Sequence, residues 1–220
     1  VEAGRLATGT RTTALRAARE VLDAPMREGV NREIEWEQRF GPLVHASKHL
    51  VVFDKYVGQQ VARRYVYDQP AGDGLTWLLS KVAMTPGKHV RIITAVTDDV
   101  DRRRGWAFDE DVVARGFRAL ERSLGRPLSL DVVLVPDRVK APPGSRGGGP
   151  VERFGHDRHV RFGDRVALAL GTGVAVFAAA RVVETVTVAR LPLADAKARE
   201  SAAEKAALRP PRGGWLEIPG

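Results

Sequence analysis

An α/β fold, a mixed sheet covered by helices, is what this 220-residue chain predicts, and three observations carry the prediction. Runs dense in Val, Ile and Leu recur at residues 49–53, 90–96 and 128–135, long enough for strands and too short for helices. Between them lie segments whose apolar residues recur three and four apart, the spacing of a helix with one buried face. The strand runs are apolar at almost every position, as strands buried on both faces are. Strand alternating with helix in this way builds a parallel or mixed sheet.

The first helical segment covers 12–23, with Thr12 or Thr13 as N-cap and Leu15, Ala18, Val21 and Leu22 in one stripe, and Pro25 ends it. A second piece over 31–40 offers Ile34 and Trp36 for packing and stops at Gly41-Pro42. Residues 1–47 therefore read as an N-terminal helical arm, available to other proteins. The main domain, 48–192, opens with the strand at 49–53. A short helix at 59–67 follows, then a longer one at 73–84 bearing Leu75, Trp77, Leu78, Leu79 and Val82. Pro86-Gly87 breaks that helix before the strand at 90–96. A helix at 109–124 leads to the strand at 128–135. Residues 136–155 carry Lys140, Arg146, Arg153, two adjacent prolines and a Gly147-Gly148-Gly149-Pro150 run, a composition that builds no core and predicts a mobile basic flap. Then come a strand at 156–162, a Gly163-Asp164 turn, an apolar strand from Val166 to Leu170, and Gly171-Thr172-Gly173. A further alternating strand is expected at 181–191. The last segment, 193–220, holds a helix over 194–208, whose exposed face is expected only to solvate the chain, and a Pro- and Gly-rich tail with Trp215.

The chain carries 35 Lys and Arg against 27 Asp and Glu, a formal charge of +8. That balance favours anionic partners such as nucleic acid or an acidic membrane surface. Arg outnumbers Lys, and Ala, Gly and Val are abundant, a bias that reads as bacterial and that high genomic GC content would also produce. With no cysteine, disulfides, thiol catalysis and cysteine-ligated metal sites are excluded, which fits a cytoplasmic protein. Nothing near the start has the order of a signal peptide. The longest apolar stretch, 166–180, is too short for a membrane helix and is interrupted by two glycines and a threonine.

The densest chemistry lies in His156-Asp157-Arg158-His159-Val160-Arg161-Phe162. On a strand, side chains alternate, so His156, Arg158, Val160 and Phe162 share one face and His159 takes the other. An imidazole and a guanidinium pointing the same way suit a phosphate diester. The guanidinium is a permanently charged fork for phosphoryl oxygens, and imidazole acts as nucleophile or proton carrier near neutral pH. An exposed, charged hairpin end is the plainer alternative. The candidate phosphate ligands are Lys140, Arg146, Arg153, Arg161, His159 and Thr172.

This stretch resembles the phospholipase-D-like domain at the C-terminus of microtubule-interacting-and-trafficking (MIT) proteins. There a His-Asp-Arg-x-x-Arg-Phe strand is followed by a turn, an apolar strand and a Gly-x-Gly-Leu-Asp-x-Phe segment. The matching residues are His156, Asp157, Arg158, Arg161, Phe162, Gly171, Gly173 and Phe177, while Val174 and Ala175 stand where Leu and Asp are usual. Upstream, the run from His49 to Asp54 with Tyr56 resembles the first strand of the family, and the run from Lys88 to Thr94 its second. The resemblance covers residues 48–192 and implies a phospholipase-D-like sheet, binding of acidic phospholipid and homodimerisation.

Active phospholipase-D-type enzymes use His-x-Lys-x4-Asp, normally in two copies. Here Arg158 replaces Lys, Gly163 sits where Asp belongs, Asp164 comes one residue late, and no second full copy exists. A one-residue slip on a strand turns a side chain to the other face. The resemblance therefore implies a degenerate domain that binds a phosphate-rich polyanion, nucleic acid or acidic membrane, and the bacterial composition adds the expectation of a larger assembly such as a defence or AAA-ATPase-linked system. A dimeric phosphodiesterase, with His156 of one chain as nucleophile and of the other as general acid beside Arg158, is the catalytic alternative. A protein-interaction scaffold is the third.

Other motifs carry less. His89-Val90-Arg91 is a second His-x-Arg, expected to cap a sheet edge. Gly171-Thr172-Gly173 is followed by neither a Walker-type Lys-Ser/Thr pair nor a third glycine at dinucleotide spacing. Asp98, Asp99 and Asp101 read as a solvated turn, and no metal or cofactor is expected.

Overall fold

The computed structural model describes residues 20–69, 73–101, 104–139, 151–152, 158–207 and 216–218. Residues 20–23 are helical, and the rest of the helix expected at 12–23 lies outside the described residues. Next come α1 (Arg32–Glu35), a π-helical turn (Trp36–Phe40), α2 (Gly41–His45), β1 (His49–Phe53), α3 (Val57–Tyr65) and α4 (Gly74–Ala83). The chain continues through β2 (His89–Asp101), β3 (Trp106–Phe108), α5 (Glu110–Ser123), β4 (Ser129–Pro136), β5 (Arg138–Val139) and β6 (Val151–Glu152). It closes with β7 (His159–Phe162), β8 (Val166–Leu170), a 3-10 turn (Gly173–Phe177), β9 (Val188–Leu191), α6 (Leu193–Ala206) and β10 (Leu216–Ile218).

The sheet runs β10-β4-β2-β1-β7-β8-β9, with β3 paired to the far end of β2. Its three central strands, β4, β2 and β1, are parallel. The flanking pairs β1–β7, β7–β8, β8–β9 and β10–β4 are antiparallel. This is the expected mixed α/β sheet flanked by helices. Helices form the β1-to-β2 and β2-to-β4 connections, as parallel crossovers require. Local chemistry starts them cleanly: the side chains of Asp73 and Asp109 cap α4 and α5 by accepting backbone N–H bonds.

Period two divides the sheet between two cores. Leu50, Val52, Ile92, Val132, Val160, Phe162 and Leu168 belong to the larger one, shared with α3, α4 and α5. Val51, Phe53, Ile93, Ala95, Val133 and Val135 face the other way, toward Ala203 of α6. One face of α6 therefore packs on the sheet. Its Ala196, Glu200 and Ala203 are buried, because small alanines let a helix lie close on a sheet.

Several expectations change in the folded chain. The helix expected to stop at Gly41-Pro42 continues to His45, since proline in a first turn lacks only an N–H that has no helical partner there. Met26, Trp36, Phe40 and Val44 are buried in the larger core, and Met26 exchanges backbone hydrogen bonds with Val186. Residues 26–45 are therefore packed into the same body as residues 48–192. Of the strand expected at 181–191 only β9 forms, while Arg181 and Val186 make isolated bridges to Asn31 and Met26. β5 and β6 pair with each other inside the expected loop. His89 and Arg91 lie at the amino end of β2, an inner strand between β1 and β4, so they line an end of the sheet and not a lateral edge strand.

Candidate phosphate site at the carboxyl edge of the sheet

Open sheets with parallel strands bind ligands beyond the carboxyl ends of those strands. Antiparallel β7 brings its amino end to that edge, with His159 opposite Phe53. Asp54 and Arg158, the residues just beyond that pair, consequently meet. Asp54 is 1 % exposed. Its Oδ1 accepts the Tyr56 N–H at 3.0 Å and its Oδ2 the Val174 N–H at 3.1 Å. Burial pushes the Asp54 carboxyl above the usual aspartate range, against the pull of those two N–H groups and the Arg158 charge.

The Gly171-Thr172-Gly173 segment closes over this pair. Gly173 has φ +64°, and a Cβ there would stand 1.9 Å from Asp54 Oδ2 and 2.7 Å from Arg158 Cδ. Only glycine allows both that backbone conformation and that approach. The following 3-10 turn is pressed from behind by α4, where a Cβ on Gly74 would stand 1.9 Å from the Val174 carbonyl oxygen. Arg158 lies with Cζ 4.8 Å from the centroid of the Tyr56 ring, a cation–π distance. Its Nε is buried without a hydrogen-bond partner, and so is Thr172 Oγ1. Beside them Lys55 Nζ is paired with Asp137 Oδ1 at 2.7 Å.

The expected site residues separate into three groups. Arg158 and Thr172 come together at this edge. His159 and Arg161 do not join them: both turn to the α6 face and engage Glu200. His159 is 2 % exposed, stacks on Phe53 with ring centroids 4.8 Å apart, and has Nε2 3.1 Å from Glu200 Oε1. Arg161 donates to both Glu200 oxygens through Nε and to Oε2 through Nη2, and its Nη1 donates to the Gly163 carbonyl. Burial alone would raise the Glu200 carboxyl, but hydrogen bonds from His159 and Arg161 hold it below its ordinary range. His156, Lys140, Arg146 and Arg153 lie outside the described residues.

Asp164 cannot stand in for the missing motif carboxylate. It sits past the other end of β7 from Arg158, 79 % exposed and 2.7 Å from Lys197 Nζ. Asp54 and Tyr56 are the site residues that sequence reasoning left unassigned. Their signal was an Asp-x-Tyr at the end of a wholly apolar strand, where a buried acid needs a purpose. Among the described residues no group of three or more His, Asp or Glu side chains is placed to hold a metal ion.

No family model matches the chain, and no curated protein does. Among solved structures it is similar to NucT from Helicobacter pylori, at 12 % identity and a TM-score of 0.39, over 81 % of this chain and 95 % of that one. None of the comparisons supports the tie to MIT proteins. Among the described residues no helix is long and apolar enough to cross a membrane.

Proposed function

We propose that this chain is a phospholipase-D-like domain that grips the phosphodiester backbone of a nucleic acid at the Arg158 cradle and turns it over slowly or not at all. One observation carries the proposal: the Arg158 Nε donor and the Thr172 hydroxyl are both buried and unpartnered beside a turn that glycine alone permits. Leaving a buried polar group unsatisfied costs about 1–3 kcal/mol. A phosphoryl oxygen accepts from a guanidinium and from a hydroxyl at once, and so removes both deficits.

Aromatic groups at the same edge favour nucleic acid over a lipid headgroup. The Tyr56 ring lies against Arg158. The hairpin beyond the carboxyl end of β2 carries Trp106, stacked on Tyr67 at 4.9 Å with Arg104 4.8 Å from its ring centroid. Cations interleaved with aromatics suit a polyanion whose bases also have faces to stack. Weak turnover follows from the chemistry of the motif, which lacks its aspartate and its second copy. Catalysis would require two chains to bring two His156 imidazoles to one phosphate, the arrangement of a two-fold dimer.

Fluorescence anisotropy with labelled single-stranded DNA tests the proposal. Arg158→Ala is expected to weaken binding about tenfold and to flatten the salt dependence by about one phosphate contact. Unchanged affinity in a folded Arg158→Ala protein refutes it. Tighter binding to anionic vesicles than to DNA at equal ionic strength moves the site to lipid. Turnover that is lost in His156→Ala, together with a 48 kDa species (twice the 24.0 kDa chain) in light scattering, moves it to the dimeric phosphodiesterase.

A further inference from the structure

The opposite edge of the sheet holds a second concavity, independent of the Arg158 cradle. His49 opens β1 and Phe53 closes it, so this edge lies about 13 Å from the site at about 3.3 Å per residue. A cavity of about 410 Å³ there is lined by His49, His89, Arg91, Arg161 and Asp164, with Leu50, Val51 and Gly163. His49 and His89 are partners in the β1–β2 register, with ring centroids 5.6 Å apart. Neither imidazole has a hydrogen-bond partner among the described residues.

The guanidiniums beside them are already tied. Arg91 donates through Nε to Asp131 and through Nη1 to Glu204. Arg161 is held by Glu200, with Asp164 3.7 Å away, and Lys197 of α6 is paired with Asp164. Lys88, just before β2, is turned away, its Nζ held by the carbonyls of His45 and Ser47. Three cations, Arg91, Arg161 and Lys197, thus face four carboxylates, Asp131, Asp164, Glu200 and Glu204. With neutral imidazoles the wall has no excess positive charge. Protonating both reverses its sign.

We propose that this cavity is a second binding site, taking a compact phosphomonoester against both imidazoles as they gain protons. Two imidazolium rings in edge-to-face contact, with centroids 5.6 Å apart, repel, and a dianion seated against both offsets the repulsion. Arg91, fixed through Nε and Nη1 by its carboxylates, supplies its Nη2 donors in a set orientation. Burial, with the His49 and Arg91 charges, holds the proton affinity of His89 down against the pull of Asp131. A bound anion opposes that depression, so ligand and protons enter together, each strengthening the other. The volume lies in the range of small-molecule sites, enough for a phosphate and a small organic substituent.

Sulfate is the probe, because its charge stays constant across the imidazole titration range. The experiment follows the imidazole Cε1–H resonances of the full chain by NMR, with and without sulfate at constant ionic strength. Sulfate is expected to raise the His49 and His89 titration midpoints by about one unit. It should bind at least about tenfold tighter at about pH 5.5 than at about pH 7.5. Arg158→Ala should leave this intact, whereas His89→Gln and His49→Gln should each weaken sulfate binding about tenfold and flatten its pH dependence. His45, whose Nδ1 already contacts the Gly41 carbonyl, is the internal control. Midpoints that do not move, that move equally at His45, or binding that keeps its pH dependence in both variants overturn the proposal.

Discussion

Arg158 and Arg161 are three residues apart, yet one has its Nε buried with no partner while the other gives every guanidinium nitrogen to protein oxygens. Arg161 stands over a helix that offers Glu200, and the pair is closed to most other uses. Arg158 stands at a strand end beside an acid already occupied by two backbone N–H groups. The difference teaches that a basic motif on a strand does two jobs at once. One cation fastens the sheet to its covering helix, and the other keeps its Nε without a protein partner.

Removing Glu200 should separate those jobs most sharply. Glu200→Ala leaves Arg161 and His159 without their counter-charge in a covered position and is expected to destabilise the fold by about 3–5 kcal/mol, measured by denaturant titration. DNA affinity should be preserved wherever the protein is folded. A loss under about 1 kcal/mol would mean that the α6 pair is ornamental, and the contrast with Arg158 would collapse.

Gly173→Ala tests the other side. The new Cβ meets Asp54 and Arg158 at a positive φ, so a destabilisation of about 2–3 kcal/mol is expected, with DNA binding lost along with the cradle. Normal binding in this variant would show that the glycine turn does not shape the site.

Arg158→Ala should reverse the pattern. Stability should change by under about 1 kcal/mol, because the lost contact with Tyr56 is offset by removal of a buried, unpartnered Nε, while DNA binding falls about tenfold, or about 1.4 kcal/mol. Arg161→Ala should instead be destabilising.

The smallest effect concerns acid. The Glu200 carboxyl is held below the ordinary glutamate range in the folded chain by the His159 and Arg161 hydrogen bonds, against the effect of burial. Its contribution to stability is therefore fully present above about pH 4.5 and is lost as pH falls through the lowered folded value. Glu200→Gln should remove that part of the acid dependence in urea titrations between about pH 5 and about pH 3. An unchanged acid profile would mean that other carboxylates carry it.

Much of this was legible without coordinates. The strands at 49–53, 90–96 and 128–135 and the helices at 73–84 and 109–124 are written in short-range periodicity, which depends only on neighbours along the chain. The same alternation separates Arg158 from His159 and Arg161, so the two faces of β7 were readable too. It could not say which face would be neutralised. Glu200 lies 39 residues beyond Arg161, on a helix whose alanine-rich pattern advertises no buried side.

The length of α1 through α2 was missed because Gly41-Pro42 reads as a stop unless the proline is known to fall in a first turn. Most of the strand expected at 181–191 was lost because the first half of that segment bridges to residues 26 and 31 instead of joining the sheet.

By itself the sequence determined the order of strands and helices, the basic charge and the chemistry carried by Arg158 and Thr172, since all of these follow from residue type and local spacing. Tertiary structure alone decided that Asp54 would be buried against Arg158, that Glu200 would consume Arg161 and His159, and that His49 and His89 would share one cavity. Those pairings join residues 39 to more than 100 positions apart, and the contacts that select them exist only once the sheet has set its strand order and the helices have closed on its two faces.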